Sequence, residues 1–566
     1  MSRSAGHLIV ATLENAEVER VYAVPGESYL DVLDGLYDSS IDTIVCRQEG
    51  GAGFMALAES RLTGRPGIAM VTRGPGAANA MISIHTAWQD GTALVLFVGL
   101  VPTADRARES FQEFSLPEWF SSTAKAVITI DDEHRAGELT AEALRIAASG
   151  RPGPVVVGLP EDVLVRLTDS PAPTPSAIVE PAPSAADLEA LSARLRTAER
   201  PAFVLGGDGW HSGCGRELAE LAASAGIPIF ADWRAYDAVP HTTAAWAGWL
   251  GYGRADAIAA GFAEADFLVF VGCTRSDVAS DGYTIGFAAE TVLVGLDPEA
   301  TQHAGRIDQQ ILASPRSFVT ALADFAGGAV VRSAADLRGQ RSDEWMLARS
   351  HAQSRFAAHR PDAEAGGGHT NTADSDNATG VDLGVAFGIL DERLGGQAIL
   401  TYGAGNATIW GHRFLSHLRP ASLVGARNGA MGLAVPAAVA ASLVHPEQRA
   451  VAICGDGDFL MNGQEMATAF AHGASPLIIV IDNGVYGTIV SHQQNHYPGR
   501  PSGTRMVNPD FGTWMSAFIG GHGERVETTA DFAPALDRAL AATGPALLHL
   551  TIDPETMPPA ADEIPA

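Results

Sequence analysis

The residues best suited to chemistry lie between positions 451 and 490. There Gly455-Asp456-Gly457-Asp458 follows the apolar run 451–454, and Asp482-Asn483-Gly484 follows a second run, 477–481. A carboxylate and an amide carbonyl are hard oxygen donors, suited to Mg2+ or Ca2+ with phosphate oxygens filling the rest of the shell. Asp456 and Asn483 stand 27 positions apart, the span of one strand-helix-strand unit, so parallel pairing of the two runs would carry both to one sheet edge. The glycines let backbone N–H groups approach an anion, and a helix N-terminus following the first run favours negative charge there. The same residues fit an ordinary Asp-Gly turn and a capping Asn, and the segment alone leaves both readings open.

Positioning such a pair requires strands that alternate with helices. Short β-rich runs at 21–24, 67–72 and 94–99, at 202–206 and 267–272, and at 451–454 and 477–481 alternate with Ala-rich segments of helical period. That pattern predicts parallel sheets with crossover helices. Stretches rich in Pro and small residues at 168–187 and about 359–380 read as linkers and cut the chain into thirds. The expected fold class is α/β, with three doubly wound parallel-sheet domains over 1–170, 187–345 and 379–555. At 566 residues and 46% hydrophobic content, each third can bury its own core.

Composition narrows the partners. Lys+Arg 37 against Asp+Glu 66 gives a net charge of −29, which disfavours nucleic acid and anionic membrane. The apolar runs are strand-length, well short of the roughly 20 residues of a spanning helix. The N-terminal segment has a helical pattern carrying Glu14, Glu17 and Glu19 in place of the apolar core of a signal peptide. Cys46, Cys214, Cys273 and Cys454 are scattered with no C-x-x-C pair, so reduced thiols and a cytoplasmic location are expected.

Gly455-Asp456-Gly457 followed at this distance by Asn483 resembles the cofactor motif of thiamine-diphosphate-dependent enzymes. The rest of the chain is similar to their acetolactate synthase and pyruvate oxidase branch. The similarity runs in order through Val24-Pro25-Gly26, Cys46-Arg47-Gln48-Glu49-Gly50, the segment Thr72-Arg73-Gly74-Pro75-Gly76-Ala77-Ala78-Asn79, Phe111-Gln112-Glu113, and Gly429-Ala430-Met431-Gly432 with Pro436. Five segments in correct order are far more specific than a single glycine motif.

The resemblance implies roles that can be checked against chemistry. Glu49 would bond the pyrimidine N1′ of the cofactor, and burial would raise its proton affinity. Met431 would be the apolar wedge under the bent cofactor, and the Gly429 carbonyl would accept from the 4′-amino group. Asp456, Asn483 and the Val485 carbonyl would hold Mg2+. Asp482 stands where many relatives have Asn and adds a carboxylate beside the metal. Asn406, in Gly405-Asn406-Ala407-Thr408, would face the diphosphate, and Pro25, Gly455, Gly457, Asp458, Tyr486 and Gly487 complete the implied cofactor contacts. Phe111, Gln112, Tyr486 and His492 are expected to wall the substrate pocket, with Gln112 close to the reacting centre; His492 stands where acetohydroxyacid synthases carry Trp.

The activity implied is decarboxylation of a 2-oxo acid, most simply pyruvate, with the two-carbon carbanion passed to an acceptor. The alternatives are a flavin-dependent oxidoreductase of the pyruvate oxidase kind, or a lyase acting on another 2-oxo acid or a 2-hydroxyacyl-CoA. FAD stays open because Gly206-Gly207-Asp208-Gly209 could form a nucleotide turn and Arg275 sits where relatives contact flavin, although Ser276-Asp277-Val278-Ala279 replaces the expected sequence after it. The resemblance also implies a homodimer or homotetramer with active sites at the subunit interface.

Overall fold

The computed structural model describes residues 2–327, 345 and 380–558. The linker expected at about 359–380 falls outside the described residues except for Gly380. The chain divides into two compact units, one of 1–179 with 426–447 and 458–476, the other of 180–425, 448–457 and 477–566.

The first unit is built on strands β2 (Arg20–Ala23), β3 (Asp42–Val45), β4 (Gly67–Val71), β5 (Leu94–Leu100), β6 (Ala126–Thr129) and β7 (Pro154–Pro160). They form a parallel sheet in the order β3-β2-β4-β5-β7-β6. A short antiparallel pair, β1 (Arg3–Ser4) with β8 (Leu167–Thr168), ties the chain start to the end of this region. Strands β4, β5 and β7 are buried at every residue, which explains why they are continuous apolar runs and not alternating ones. Helix Glu49–Thr63 crosses from β3 to β4 and helix Gly74–Asp90 from β4 to β5. Helix Ala434–Val444, built of Ala, Val, Pro, Ser and Leu, packs against Glu49–Thr63.

The second unit carries two more parallel sheets. Strands β9 (Pro201–Leu205), β10 (Ile229–Asp232), β11 (Trp246–Leu250), β12 (Phe267–Val271), β13 (Glu290–Gly295) and β14 (Gln309–Leu312) run in the order β11-β10-β9-β12-β13-β14. Strands β15 (Ile399–Tyr402), β16 (Leu423–Gly425), β17 (Ala450–Gly455), β18 (Leu477–Asp482), β19 (His522–Val526) and β20 (Ala546–Thr551) run in the order β16-β15-β17-β18-β20-β19. The expected three parallel-sheet cores are therefore present. The first and third sheets share one strand order, so in each the chain steps outward one strand and returns on the other side. That reversal opens a crevice at the carboxyl ends of β2 and β4, and again at β15 and β17, where open α/β sheets bind ligands.

The segment expected as a linker at 168–187 is irregular from 169 to 183, as its Pro content dictates. It is not loose: the Asn15 side chain donates to Ala172 O at 2.9 Å and Ser317 Oγ to Pro181 O at 2.6 Å. Residues 184–187 belong to the next helix, where Ser184 and Asp187 form a capping box. Among the described residues no helix is long and apolar enough to cross a membrane. All four cysteines are buried and unbridged.

Candidate functional site

Three helices start at neighbouring strand ends of the second unit: Asn406–Phe414 after β15, Asp456–Asn462 after β17 and Gly487–His496 after β18. Their N-termini converge on the crevice beside β15, where unpaired N–H groups and helix dipoles favour an anion. The convergence is fixed by side chains: Thr488 Oγ1 donates to Asn406 Oδ1 at 3.1 Å, and the Gly484 N–H donates to Asp456 Oδ2 at 3.0 Å. The β17–β18 turns thus meet as their spacing predicts. The helix begins at Asp456 itself, inside the Gly-Asp-Gly-Asp segment and not after it.

Around Asp456 the structure adds residues that sequence reasoning did not single out. Asn508 Nδ2 bridges two carboxylates, reaching Asp456 Oδ2 at 2.7 Å and Asp482 Oδ1 at 2.8 Å. His549, which is buried, contacts Asp482 Oδ2 through Nε2 at 2.8 Å. Asp482 Oδ1 also accepts from Gly484 N at 2.9 Å, so this carboxylate braces the loop that carries Asn483. Asn483 Oδ1 accepts from Val485 N at 3.2 Å, the contact of a capping Asn. The Val485 peptide is clamped between two backbone bonds, Met506 N to Gly484 O and Tyr486 N to Thr504 O, both 2.8 Å. The segment 504–508 that closes this clamp brings Asn508 into place.

The electrostatics favour a cation. Burial, followed by the hydrogen bond and like charge of Asp482, pushes the Asp456 carboxyl up. Burial acts in the same sense on Asp482, but bonds from His549, Asp456 and Asn508 outweigh it and hold that carboxyl down. Two crowded carboxylates share only the Asn508 amide and the Gly484 N–H as donors, a surplus of negative charge that a hard cation would neutralise. Among the described residues no group of three or more His, Cys, Asp or Glu side chains is set to hold a metal. A cation here would therefore lean on amide, carbonyl and ligand oxygens beside Asp456, which is the donor set Mg2+ prefers.

In the first unit the turns after β2, β3 and β4 gather Pro25, Glu49 and Gly74-Pro75-Gly76. Glu49 is the first residue of its helix, and its Oε2 accepts from Asn79 Nδ2 at 2.9 Å. The Gly74 N–H donates to Gln112 O at 3.1 Å, which brings the Phe111-Gln112 loop to the same edge. That loop is wound around Glu113, whose carboxylate accepts from Ala107, Arg108 and Ser110 N–H groups at 2.5, 3.3 and 3.0 Å. Gln112 has a φ of +63°, and its side-chain Oε1 is buried without a hydrogen-bond partner among the described residues. A left-handed backbone and an acceptor without a partner are features that a ligand contact at Gln112 would explain. Phe111 is 76% exposed.

Met431 is half-buried and Gly429 exposed, on a loop held from both sides. The Gly432 N–H donates to Asp458 Oδ1 at 2.8 Å and Asn462 Nδ2 donates to Gly432 O at 2.9 Å, while Gly432 takes a φ of +86° open to glycine. Asp458 therefore fixes the Met431 loop in this structure. On the other flank Asn428 Nδ2 reaches Thr86 Oγ1 at 3.1 Å. Tyr486 caps helix Gly487–His496, and His492 is exposed on that helix.

The flavin-related features are accounted for by packing. Arg275 is fully buried, and its guanidinium donates to Ala304 O, Gly286 O and Thr291 Oγ1 at 2.9, 3.0 and 2.8 Å. A Cβ on Gly207 would lie 2.1 Å from Gly272 O, so the turns after β9 and β12 close on each other backbone to backbone. Arg275 Nε alone stays buried without a hydrogen-bond partner among the described residues, while the other guanidinium donors are taken up within the fold.

Comparison with known proteins agrees with this architecture. Residues 3–119 match the thiamine pyrophosphate enzyme N-terminal TPP binding domain, 188–322 the central domain, and 403–550 the C-terminal TPP binding domain. The chain belongs to the thiamine pyrophosphate enzymes. Within that family it is similar to the acetolactate synthase isozyme 2 large subunit of Escherichia coli K12, 27% identical with 96% of this chain and 95% of the relative covered. It is also similar to the catabolic acetolactate synthase of Raoultella terrigena, 29% identical over 96% of this chain and 94% of that protein. A third relative is the acetolactate synthase large subunit of Corynebacterium glutamicum, 28% identical over 94% and 84%.

Asn508→Ala should leave Asp456 and Asp482 with the Gly484 N–H as their remaining shared donor. Denaturant titration in the absence of divalent cations should then show a loss of about 1–3 kcal/mol, and added Mg2+ should restore part of it. A variant as stable as wild type without Mg2+ would refute the bridging role.

Proposed function

We propose that the chain is a thiamine-diphosphate- and Mg2+-dependent 2-oxo acid decarboxylase and carboligase of the acetolactate synthase kind, with pyruvate as donor. The observation that carries this reading is the meeting of the β17 and β18 turns at Asp456, in a chain similar to acetolactate synthases from end to end. When bound, thiamine diphosphate supplies a nucleophilic thiazolium carbon and an electron sink for decarboxylation.

The chain's own residues supply the setting. Asp456, the Asn483 side chain and the Val485 carbonyl hold Mg2+, with Asp482, Asn508 and His549 keeping that loop in register. The three helix N-termini receive the diphosphate, with Asn406 and Gly487 beside it. Glu49 would hold a proton at the pyrimidine N1′, Gly429 O would accept from the 4′-amino group, and Met431, braced through Gly432, would pack against the cofactor. Phe111 and Gln112 would exclude water from the 2-oxo acid and orient it, and Tyr486 and His492 are the further pocket residues that the resemblance implies. Two pyruvates then yield acetolactate and CO2.

Within one chain, Glu49 is anchored to helix Gly74–Asp90 at Asn79 and the Gly429 loop at Thr86, about 10 Å further along the axis. The similarity to acetolactate synthase subunits supports a site completed by a second copy of the chain, hence at least a homodimer. Buried, unbridged thiols support a reducing, cytoplasmic setting. The inward-turned Arg275 supports chemistry without FAD and argues against the pyruvate oxidase alternative.

Purified protein given ThDP, Mg2+ and pyruvate should form acetolactate, identified by NMR, only when the cofactor is present. Activity should be unchanged by FAD, and a 450 nm flavin band that tracks turnover would reverse that part of the reading. Glu49→Gln should fold and bind ThDP yet lose at least about a hundredfold in turnover. Asp456→Ala should abolish the Mg2+-dependent rise in melting temperature that ThDP gives the wild type, and retention of that rise would place the metal elsewhere.

A further inference from the structure

Glu465 is a second carboxylate at the Glu49 turn, and it belongs to neither the metal site nor the substrate loop. It ends the short 3-10 turn Gly463–Glu465 and is completely buried. Both of its oxygens accept from the Arg47 N–H, at 3.1 and 3.2 Å, and Thr468 Oγ1 donates to it at 2.5 Å. The Gln48 N–H also favours its charged form, while burial pushes the carboxyl up. Arg47 turns its own guanidinium to Val45 O at 3.0 Å. The carboxylate is thus held by backbone amides at the N-terminus of helix Glu49–Thr63, where the dipole favours an anion.

Those amides belong to the two residues immediately before Glu49. Gln48 is the N-cap, its Oε1 accepting from Gly51 N at 2.9 Å. Gly51 lies against the buried carboxylate: a Cβ there would sit 2.7 Å from Glu465 Oε1 and 3.0 Å from its Cδ. The same segment closes the open edge of β3, since His472 Nε2 accepts from Val45 N at 2.9 Å and Thr468 Oγ1 donates to Val45 O at 3.4 Å. Strand end, cap and first helical turn are therefore all set from residues 465–472. Nothing in the turn itself replaces the Glu465 acceptor.

We propose that Glu465 is a positioning residue for Glu49: by holding the Arg47 and Gln48 amides it sets the direction in which the Glu49 carboxylate leaves the helix. The inference rests on the role given to Glu49 above. A displacement of about 1 Å at such a group can cost a hundredfold in rate, whereas cofactor affinity is carried mainly by the diphosphate and metal.

The test uses full-length protein loaded with ThDP and Mg2+, following deuterium exchange of the cofactor C2–H by NMR, and amide exchange of the unloaded protein over residues 45–52. Glu465→Ala should slow C2–H exchange by about tenfold to a hundredfold, change the ThDP concentration for half-saturation by less than about threefold, and speed exchange of the Arg47 and Gln48 amides. Glu465→Gln keeps an acceptor oxygen and should recover most of both. Wild-type C2–H exchange in the Ala variant, or a Gln variant as impaired as Ala, overturns the proposal. Should the Ala variant fail to melt cooperatively, Gln and Asp decide: Gln near wild type with Asp slow supports positioning, and the reverse order overturns it. Glu49→Gln is the control. If it exchanges C2–H at the wild-type rate, the role of Glu49 itself falls; if it is slow while Glu465→Ala is fast, only Glu465 is wrongly placed.

Discussion

Parallel pairing governs everything else in this molecule. A strand that must be followed by a parallel neighbour needs a crossover helix, and each crossover delivers its strand-to-helix turn at the same sheet edge. In the third sheet this puts the starts of helices Asn406–Phe414, Asp456–Asn462 and Gly487–His496 side by side. In the first it gathers the turns at Pro25, Glu49 and Gly74. Polar residues far apart in the chain thereby meet without any long loop, and backbone N–H groups at the helix starts supply the anion-binding surface at no further cost in ordering.

Gathering acidic groups at one edge creates a second constraint, that of like charges in a poorly solvated place. The molecule answers it twice, differently. At Asp456 and Asp482 the Asn508 amide and the Gly484 N–H stand between the carboxylates, and a buried histidine supports the outer one. At Glu465 the charge is met by the peptide N–H of Arg47 and the Thr468 hydroxyl. The first arrangement leaves room for a cation to complete it. The second is already complete, which suits a structural group and not a ligand.

The contrast explains which parts could be read from the amino-acid order. Asp456 with Asn483 is regularly spaced, strand-helix alternation carries the topology along with it, and Glu49 and Met431 are legible only through the resemblance of their flanking motifs. Asn508, His549 and Glu465 act across the fold, 26 to 418 positions from the groups they hold, and no spacing rule announces them. The glycines at 206–209 have the look of a nucleotide turn because close backbone packing and close phosphate approach ask for the same residue. Only the position of Gly272 separates the two. Asp458 similarly reads as part of a cofactor motif, while its contact is with Gly432 N.

The sealing of β3 by residues that come 427 positions later has a bearing on biosynthesis. At roughly 5–20 residues per second, the ribosome needs about 20 to 90 s to progress from Val45 to His472. Once β7 has emerged, the first sheet can be fully paired inside yet still present Val45 at an unguarded rim, a template for pairing with another nascent chain. Production of this protein at high concentration should therefore depend on chaperone occupancy during the latter half of translation, and truncation before residue 465 would leave that rim permanently open.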